Sequence, residues 1–222
     1  MSNNINAVIF DMDGVIFDSE KLVIECWKVV ADKYNIPDIE DACYECFGLN
    51  RIVTRQKMLE RYGEKFPYDE YKKEMSDLFH SRYSGGKLPK KKGIDELLCY
   101  LKSKSIKIGL ASSTRSEVVN AELKDAGILE YFDTVIGGDM VANSKPEPDI
   151  YLKACECLDV KPEESYGIED SFNGVRALYR AGINGIMVPD LVEPNDEMKE
   201  ITKIILPSLV EVKDYFIKIL KN

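Results

Sequence analysis

Short apolar runs alternate with helix-like segments along most of this chain. The first run, Ala7–Phe10, is bounded by polar residues and predicts a buried strand. Similar runs recur at residues 106–111, 134–136, 166–168 and 186–188, with a weaker edge strand at 204–206. Apolar residues at helical spacing separate them, at 116–126, 147–158, 174–181 and 209–220. Such strand–helix alternation predicts a parallel sheet with right-handed crossovers.

One long helical region, residues 19–83, interrupts this alternation directly after the first strand. Leu22, Cys26, Val29 and Val30 share one face of its first helix, and Ser19 stands where an N-cap belongs. We therefore predict an α/β fold with a Rossmann-like three-layer core and an inserted α-helical bundle cap. The core would comprise residues 1–17 and 88–222, and the cap residues 18–87.

Composition and charge narrow the class of protein. The 222 residues are 45% hydrophobic and 31% charged, which excludes a disordered chain, a coiled coil and a disulfide scaffold. A net charge of −9 disfavours nucleic acid and anionic membranes as partners. Neither a signal peptide nor an apolar stretch of membrane-spanning length is evident, so we expect a cytoplasmic protein. A monomer is expected, with a dimer as the alternative.

Two local patterns invite functional interpretations that we set aside. Cys43 and Cys46 form a C-x-x-C, but no second such pair exists and His80 is the sole histidine. A structural zinc site needs four nitrogen or sulfur ligands, so we predict buried, reduced thiols on a helix. The run Lys90-Lys91-Lys92 lies in a linker of an acidic chain, and we predict solvated lysines rather than a nucleic-acid patch.

Polar residues follow each of the first four predicted strands. The carboxyl ends of parallel strands meet at one edge of a sheet, so we expect these side chains to share a crevice. In chain order the candidates are Asp11 and Asp13, Ser112 and Ser113, Lys145, and Glu169 and Asp170.

Phosphoryl chemistry suits this set of side chains. Asp11 and Asp13 point the same way in extended chain, and two carboxylates side by side favour a cation. Oxygen ligands without histidine or thiolate suit Mg²⁺, which commonly binds substrate phosphate. Lys145 and the Ser112 hydroxyl would supply positive charge and a donor for a phosphoryl group. Asp11 could then act as a nucleophile and Asp13 as a general acid and base.

At four motifs the chain resembles the haloacid dehalogenase superfamily of phosphotransferases. The motifs are residues 8–14 (VIFDMDG), 110–112 (LAS), 145–146 (KP) and 167–171 (GIEDS). The resemblance spans residues 7–188 and includes the cap between the first two motifs. It implies Asp11 as nucleophile, Asp13 as acid and base, and Ser112 and Lys145 as phosphoryl ligands. It also implies Mg²⁺ on the Asp11 carboxylate, the Asp13 carbonyl and Asp170, with Glu169 as a further ligand, either direct or in the outer shell.

The cap position resembles that of small sugar-phosphate phosphatases and β-phosphoglucomutases. Those mutases carry a histidine ten residues after the second aspartate, where this chain has Val23. Residues 48–51 resemble the mutase cap loop, whose arginine corresponds to Arg51. The cap residues that we expect to determine substrate specificity are Val23, Trp27, Gly48 and Arg51. For Trp27 we favour a place in the core of the cap.

The expected function is a Mg²⁺-dependent phosphatase of small phosphorylated metabolites, foremost sugar phosphates, acting through an aspartyl phosphate. The alternative is a β-phosphoglucomutase that works through a bisphosphate. A signalling module phosphorylated on aspartate is disfavoured, because in receiver domains the aspartate follows a middle strand. A protein that only binds is disfavoured because every motif position is filled.

Overall fold

The computed structural model describes residues 5–46, 49 and 51–220. Within them, six strands form one parallel sheet in the order β3-β2-β1-β4-β5-β6. The strands are β1 (Ala7–Phe10), β2 (Lys107–Ser112), β3 (Thr134–Gly137), β4 (Ser165–Glu169), β5 (Asn184–Met187) and β6 (Ile204–Ile205). All six predicted strands are confirmed, with ends displaced by at most two residues. β1 lies in the middle, between β2 and β4, so Asp11 emerges at the centre of the sheet edge.

Helices between β1 and β2 form the predicted insertion. They are α1 (Glu20–Tyr34), α2 (Ile39–Cys46), α3 (Arg51–Tyr62) and α4 (Tyr68–Tyr83), followed by α5 (Ile94–Ser103), which belongs to the sheet domain. The remaining helices are α6 (Ser116–Asp125), α7 (Asp149–Leu158), α8 (Phe172–Ala181), α9 (Asp196–Ile201) and α10 (Leu209–Ile219).

The sheet is the middle of three layers. Val8 and Phe10 of β1 face a core formed with α5, α6 and α10, whereas Ala7 and Ile9 face one formed with α7 and α8. This is the period-two alternation of a strand that is buried on both faces. The predicted three-layer α/β fold is thus confirmed.

The cap helices bury a hydrophobic cluster of their own. Trp27 is 3% exposed there and contacts Tyr71 edge to face, with ring centroids 5.7 Å apart, so its predicted place in the cap core is confirmed. Cys43 and Cys46 are buried free thiols on α2, as predicted. Val29 does not join this cluster: it is 46% exposed, because the buried face of α1 runs through Trp27 and Val30 instead. The prediction for Val29 was therefore wrong.

The two cap linkers are bound to each other. The Asp18 N–H donates to the Pro89 carbonyl (2.9 Å), and the Lys91 N–H donates to the Ile16 carbonyl (2.8 Å). Lys91 is not solvated as predicted, because its side chain is only 22% exposed and its ammonium bridges Asp18 (3.1 Å) and Asp190 (2.6 Å). The domain boundaries at residues 17/18 and 87/88 stay a prediction.

Candidate active site

The chain turns sharply where β1 ends. The Asp11 N–H donates to the Ile168 carbonyl of β4 (3.0 Å), which holds Asp11 against the neighbouring strand. Gly14 has φ of 76°, in the region that favours glycine. A Cβ on Gly14 would lie 2.2 Å from Oδ2 of Asp170, so the glycine also lets that carboxylate approach the turn.

A buried lysine joins two of the predicted acids. The Lys145 Nζ donates to Asp11 Oδ1 (2.5 Å), Glu169 Oε1 (2.7 Å) and the Ala111 carbonyl (3.2 Å). Its side chain is 3% exposed. Burial alone would lower the pKa of Lys145, but the attraction of Asp11 and Glu169 outweighs it and raises the pKa. Lys145 is therefore a fixed positive charge beneath the carboxylate of Asp11.

Contacts on both oxygens hold Glu169 in place. Oε1 also accepts a hydrogen bond from the Tyr151 hydroxyl (2.6 Å). Oε2 accepts from the Ser171 N–H (3.3 Å) and hydroxyl (3.1 Å). A Cβ on Gly174 would lie 1.8 Å from this carboxyl group, so the glycine in α8 makes the room that it occupies. Tyr151 was not anticipated, because its place in the helical pattern of α7 indicates only a core residue.

Asp13 is held by two hydroxyls from different elements. Ser19 Oγ donates to its Oδ1 (2.7 Å), and Thr114 Oγ1 donates to its Oδ2 (3.4 Å). Burial raises the pKa of Asp13, and these hydrogen bonds oppose the shift. An aspartate whose proton is retained more strongly than usual suits proton transfer.

The loop after β2 presents alternate residues to the crevice. Ser112 is buried, and its Oγ accepts from the Thr114 N–H (3.1 Å). Ser113 is exposed, so the structure does not bring its side chain to the acids. Thr114 takes the inward place that the sequence analysis gave to Ser113.

The buried acids form a candidate magnesium site. Carboxylate oxygens of Asp11, Glu169 and Asp170 lie within 4.8 Å of one another, and all three residues are buried. Burial raises the pKa of Asp11 to about 8; the charge of Lys145 opposes this shift, and the neighbouring acids add to it. Burial and neighbouring acids also raise the pKa of Asp170. Acids this close need a cation to stay ionised together, and an all-oxygen donor set fits Mg²⁺.

Among the described cap residues, Lys72 of α4 is the cation that the sequence analysis missed. It is half-buried, with Nζ 5.7 Å from the centre of the Trp27 ring, and Asp13 is one of the charges that act on it. Burial lowers the pKa of Lys72. The amphipathic pattern of α4, in which Tyr71 and Met75 are buried, does not distinguish Lys72 from its exposed neighbour Lys73.

The predicted cap residues are placed less clearly. Val23 is half-buried at the edge of the cap cluster. Arg51 has a side chain 62% exposed and donates to Asp69 of α4 (3.2 Å), so these contacts do not direct it at Asp11. Gly48 lies outside the described residues.

An open crevice of about 250 Å³ separates cap from core beside Asp170. Glu20 and Tyr44 line it from the cap, and Phe172 and Arg176 of α8 line it from the core.

Within the part of the chain that the structure covers, no helix combines the length and the apolar character that a membrane span needs.

A parallel sheet, buried acids at its carboxyl edge and helices above them define a Rossmann-like enzyme with a cap. The haloacid dehalogenase-like hydrolase family matches residues 8–188. The chain therefore belongs to this family and is an enzyme, as the motifs predicted.

Named relatives fall on both sides of the functional alternative. A "phosphorylated carbohydrates phosphatase" of Thermotoga maritima is 37% identical over 182 residues, which are 82% of this chain and 84% of that protein. A "beta-phosphoglucomutase" of Bacillus subtilis is 33% identical over 192 residues, 83% of each chain. The crystal structure of a β-phosphoglucomutase from Clostridium difficile superposes with a TM-score of 0.79 at 28% identity, covering 96% of both chains.

Proposed function

We propose that this enzyme is a Mg²⁺-dependent phosphatase of phosphorylated sugars. The observation that carries the proposal is Lys145, buried between Asp11 and Glu169 at the centre of the sheet edge. It fixes the Asp11 carboxylate and leaves a positive charge where a phosphoryl group would arrive. The phosphatase of Thermotoga maritima, similar over most of both chains, supports the same assignment.

The chemistry follows from the two aspartates. A carboxylate oxygen of Asp11 attacks phosphorus, forming an oxygen–phosphorus bond as the bond to the sugar oxygen breaks. Asp13 gives its proton to that leaving oxygen. Asp13 then takes a proton from water, the water oxygen attacks phosphorus, and inorganic phosphate leaves with Asp11 restored. Ser112 and Lys145 would bind phosphoryl oxygens throughout.

Asp11, the Asp13 carbonyl and Asp170 would hold the Mg²⁺, with Glu169 orienting Lys145 beside them. The ion would neutralise part of the phosphoryl charge, which an acidic site cannot do by itself. Both carboxylate oxygens of Glu169 accept hydrogen bonds, from Lys145, Tyr151 and Ser171, which supports a role in positioning rather than direct ligation.

Asp11→Asn is the direct test of the nucleophile. We expect loss of p-nitrophenyl phosphate turnover by about 10⁴-fold or more, with Asp214→Asn, an exposed aspartate on α10, as the matched control. Retained turnover in Asp11→Asn would disprove the assignment.

A β-phosphoglucomutase is the second candidate, supported by the mutases of similar sequence and structure. Val23 at the position of the mutase histidine weighs against it. Phosphorus NMR with β-glucose 1-phosphate and Mg²⁺ separates the two. Release of inorganic phosphate supports the phosphatase, whereas glucose 6-phosphate without free phosphate supports the mutase.

A further inference from the structure

A second group of acids lies beside the first and shares one residue with it. Carboxylate oxygens of Glu20, Asp170 and Asp190 all lie within 4.8 Å of one another. Glu20 is the first residue of α1 and belongs to the cap. Asp170 directly follows β4, and Asp190 lies three residues after β5, so the other two acids belong to the sheet domain.

Most of the oxygens in this acid group lack a hydrogen-bond donor, although the three side chains are largely buried. Glu20 is 9% exposed and Asp170 5% exposed, and neither carboxylate accepts a hydrogen bond from any residue that the structure describes. Asp190 has a side chain 5% exposed; its Oδ1 binds Lys91 (2.6 Å), whereas its buried Oδ2 has no partner in the described chain. A buried carboxylate oxygen without a partner is costly, so Oδ2 of Asp190, placed beside Glu20 and Asp170, indicates a missing ligand.

The nearby lysines do not supply that ligand. Lys145 is already bound to Asp11 and Glu169, and Lys91 is shared between Asp190 and Asp18. A single cation at Asp11 would leave the carboxylate of Glu20 and Oδ2 of Asp190 without a bonded partner among the described residues.

We propose that Glu20, Asp170 and Asp190 bind a second divalent cation, bridged by Asp170 to the Mg²⁺ proposed at Asp11. The donor set is all carboxylate oxygen, which suits a hard ion such as Mg²⁺, Mn²⁺ or Ca²⁺. The crevice that Glu20 and Asp170 line is open to solvent and gives the ion a path. Because Glu20 belongs to the cap, the ion would fasten the first turn of α1 to the core.

Counting bound Mn²⁺ tests the proposal. The chelator-treated, full-length chain is titrated with Mn²⁺ at neutral pH without substrate, and free Mn²⁺ is followed by its electron paramagnetic resonance signal. We expect two ions per chain. Glu20→Gln and Asp190→Asn should each bind one. The matched control is Glu45→Gln, which lines the same crevice outside the acid group and should still bind two.

One ion in the wild-type chain would overturn the proposal, because Glu20 and Asp190 would then only support the ion at Asp11. Two ions persisting in both variants would overturn it as well. Thermal melts confirm that each variant is folded. Since no turnover is measured, these outcomes are independent of the phosphatase assignment, which Asp11→Asn tests separately.

Discussion

The substitution Gly174→Ala has two opposite effects on the stability of the folded chain. Gly174 lies in α8, where helix propensity alone favours alanine by about 1 kcal/mol. The structure argues the reverse, since the added Cβ would lie 1.8 Å from the carboxyl carbon and Oε1 of Glu169, and 2.1 Å from Oε2. No contact this short is tolerated, so either the carboxylate or the helix must move.

Glu169 cannot yield cheaply. It is fully buried and bound to Lys145, Tyr151 and Ser171. Overpacking typically costs about 1–3 kcal/mol, and each hydrogen bond to a charged group contributes about 1.5–3 kcal/mol. Losing one such bond in addition to the strain outweighs the propensity gain. We expect a net destabilisation of about 2 kcal/mol, which for this chain length lowers Tm by about 4–8 °C.

Thermal unfolding in EDTA measures the effect on stability without bound metal. Gly185→Ala is the matched control, because its added methyl would meet Leu178 at an ordinary 3.7 Å. Displacing Glu169 also disturbs Lys145, so turnover of p-nitrophenyl phosphate should fall by about 10- to 100-fold. An unchanged or raised Tm in Gly174→Ala would refute the steric argument.

Three further outcomes are expected. Lys72→Ala should raise KM for sugar phosphates about tenfold, which corresponds to the loss of ~1.4 kcal/mol of binding free energy. Lys73→Ala, which changes an exposed lysine on the same helix, should leave KM unchanged. Equal effects of the two variants in steady-state kinetics would contradict a role of Lys72 in binding the substrate. Burial, and then the charges of Asp13 and Asp125, raises the pKa of Glu122 from 4.5 to about 7. Between these pH values the folded chain keeps a proton on Glu122 that the unfolded chain releases. The free energy of unfolding therefore falls as the pH rises from about 4.5 to about 7. Glu122→Gln should therefore be stabilised relative to wild type in urea unfolding at about pH 8, and much less so at about pH 4; equal differences at the two pH values would exclude this titration. EDTA should abolish turnover and excess Mg²⁺ restore it, and full activity in EDTA would remove the metal from the mechanism.

The sheet was predictable because each strand is a short apolar run that ends at polar residues. Two helices escaped the sequence analysis for different reasons. α5 carries a readable pattern in Ile94, Leu97 and Leu101, but it directly follows the basic linker and was not separated from it. α9 has only six residues, too few for a helical period, and its main signal is the N-cap Asn195, whose side chain accepts from the Met198 N–H.

The sequence predicted those residues of the crevice that follow the ends of strands, but not those that lie on helices. Asp11, Lys145 and Asp170 come together because the topology of a parallel sheet requires it. Tyr151 and Lys72 arrive from helices, whose periodic patterns say which residues are buried but not which charged group they face. Thr114, by contrast, could have been predicted. Successive side chains of an extended chain point to opposite sides, so the residues after an inward Ser112 are an outward Ser113 and an inward Thr114.

The central claim is that Asp11 carries the phosphoryl group, and chemical trapping tests it most directly. The enzyme is quenched during turnover with Mg²⁺ and substrate, the acyl phosphate is reduced with borohydride, and the modified residue is located by peptide mass spectrometry. We expect conversion of the Asp11 side chain to the alcohol of homoserine, only in samples that received substrate. Reduction at another carboxylate, or none during active turnover, would contradict the proposed mechanism.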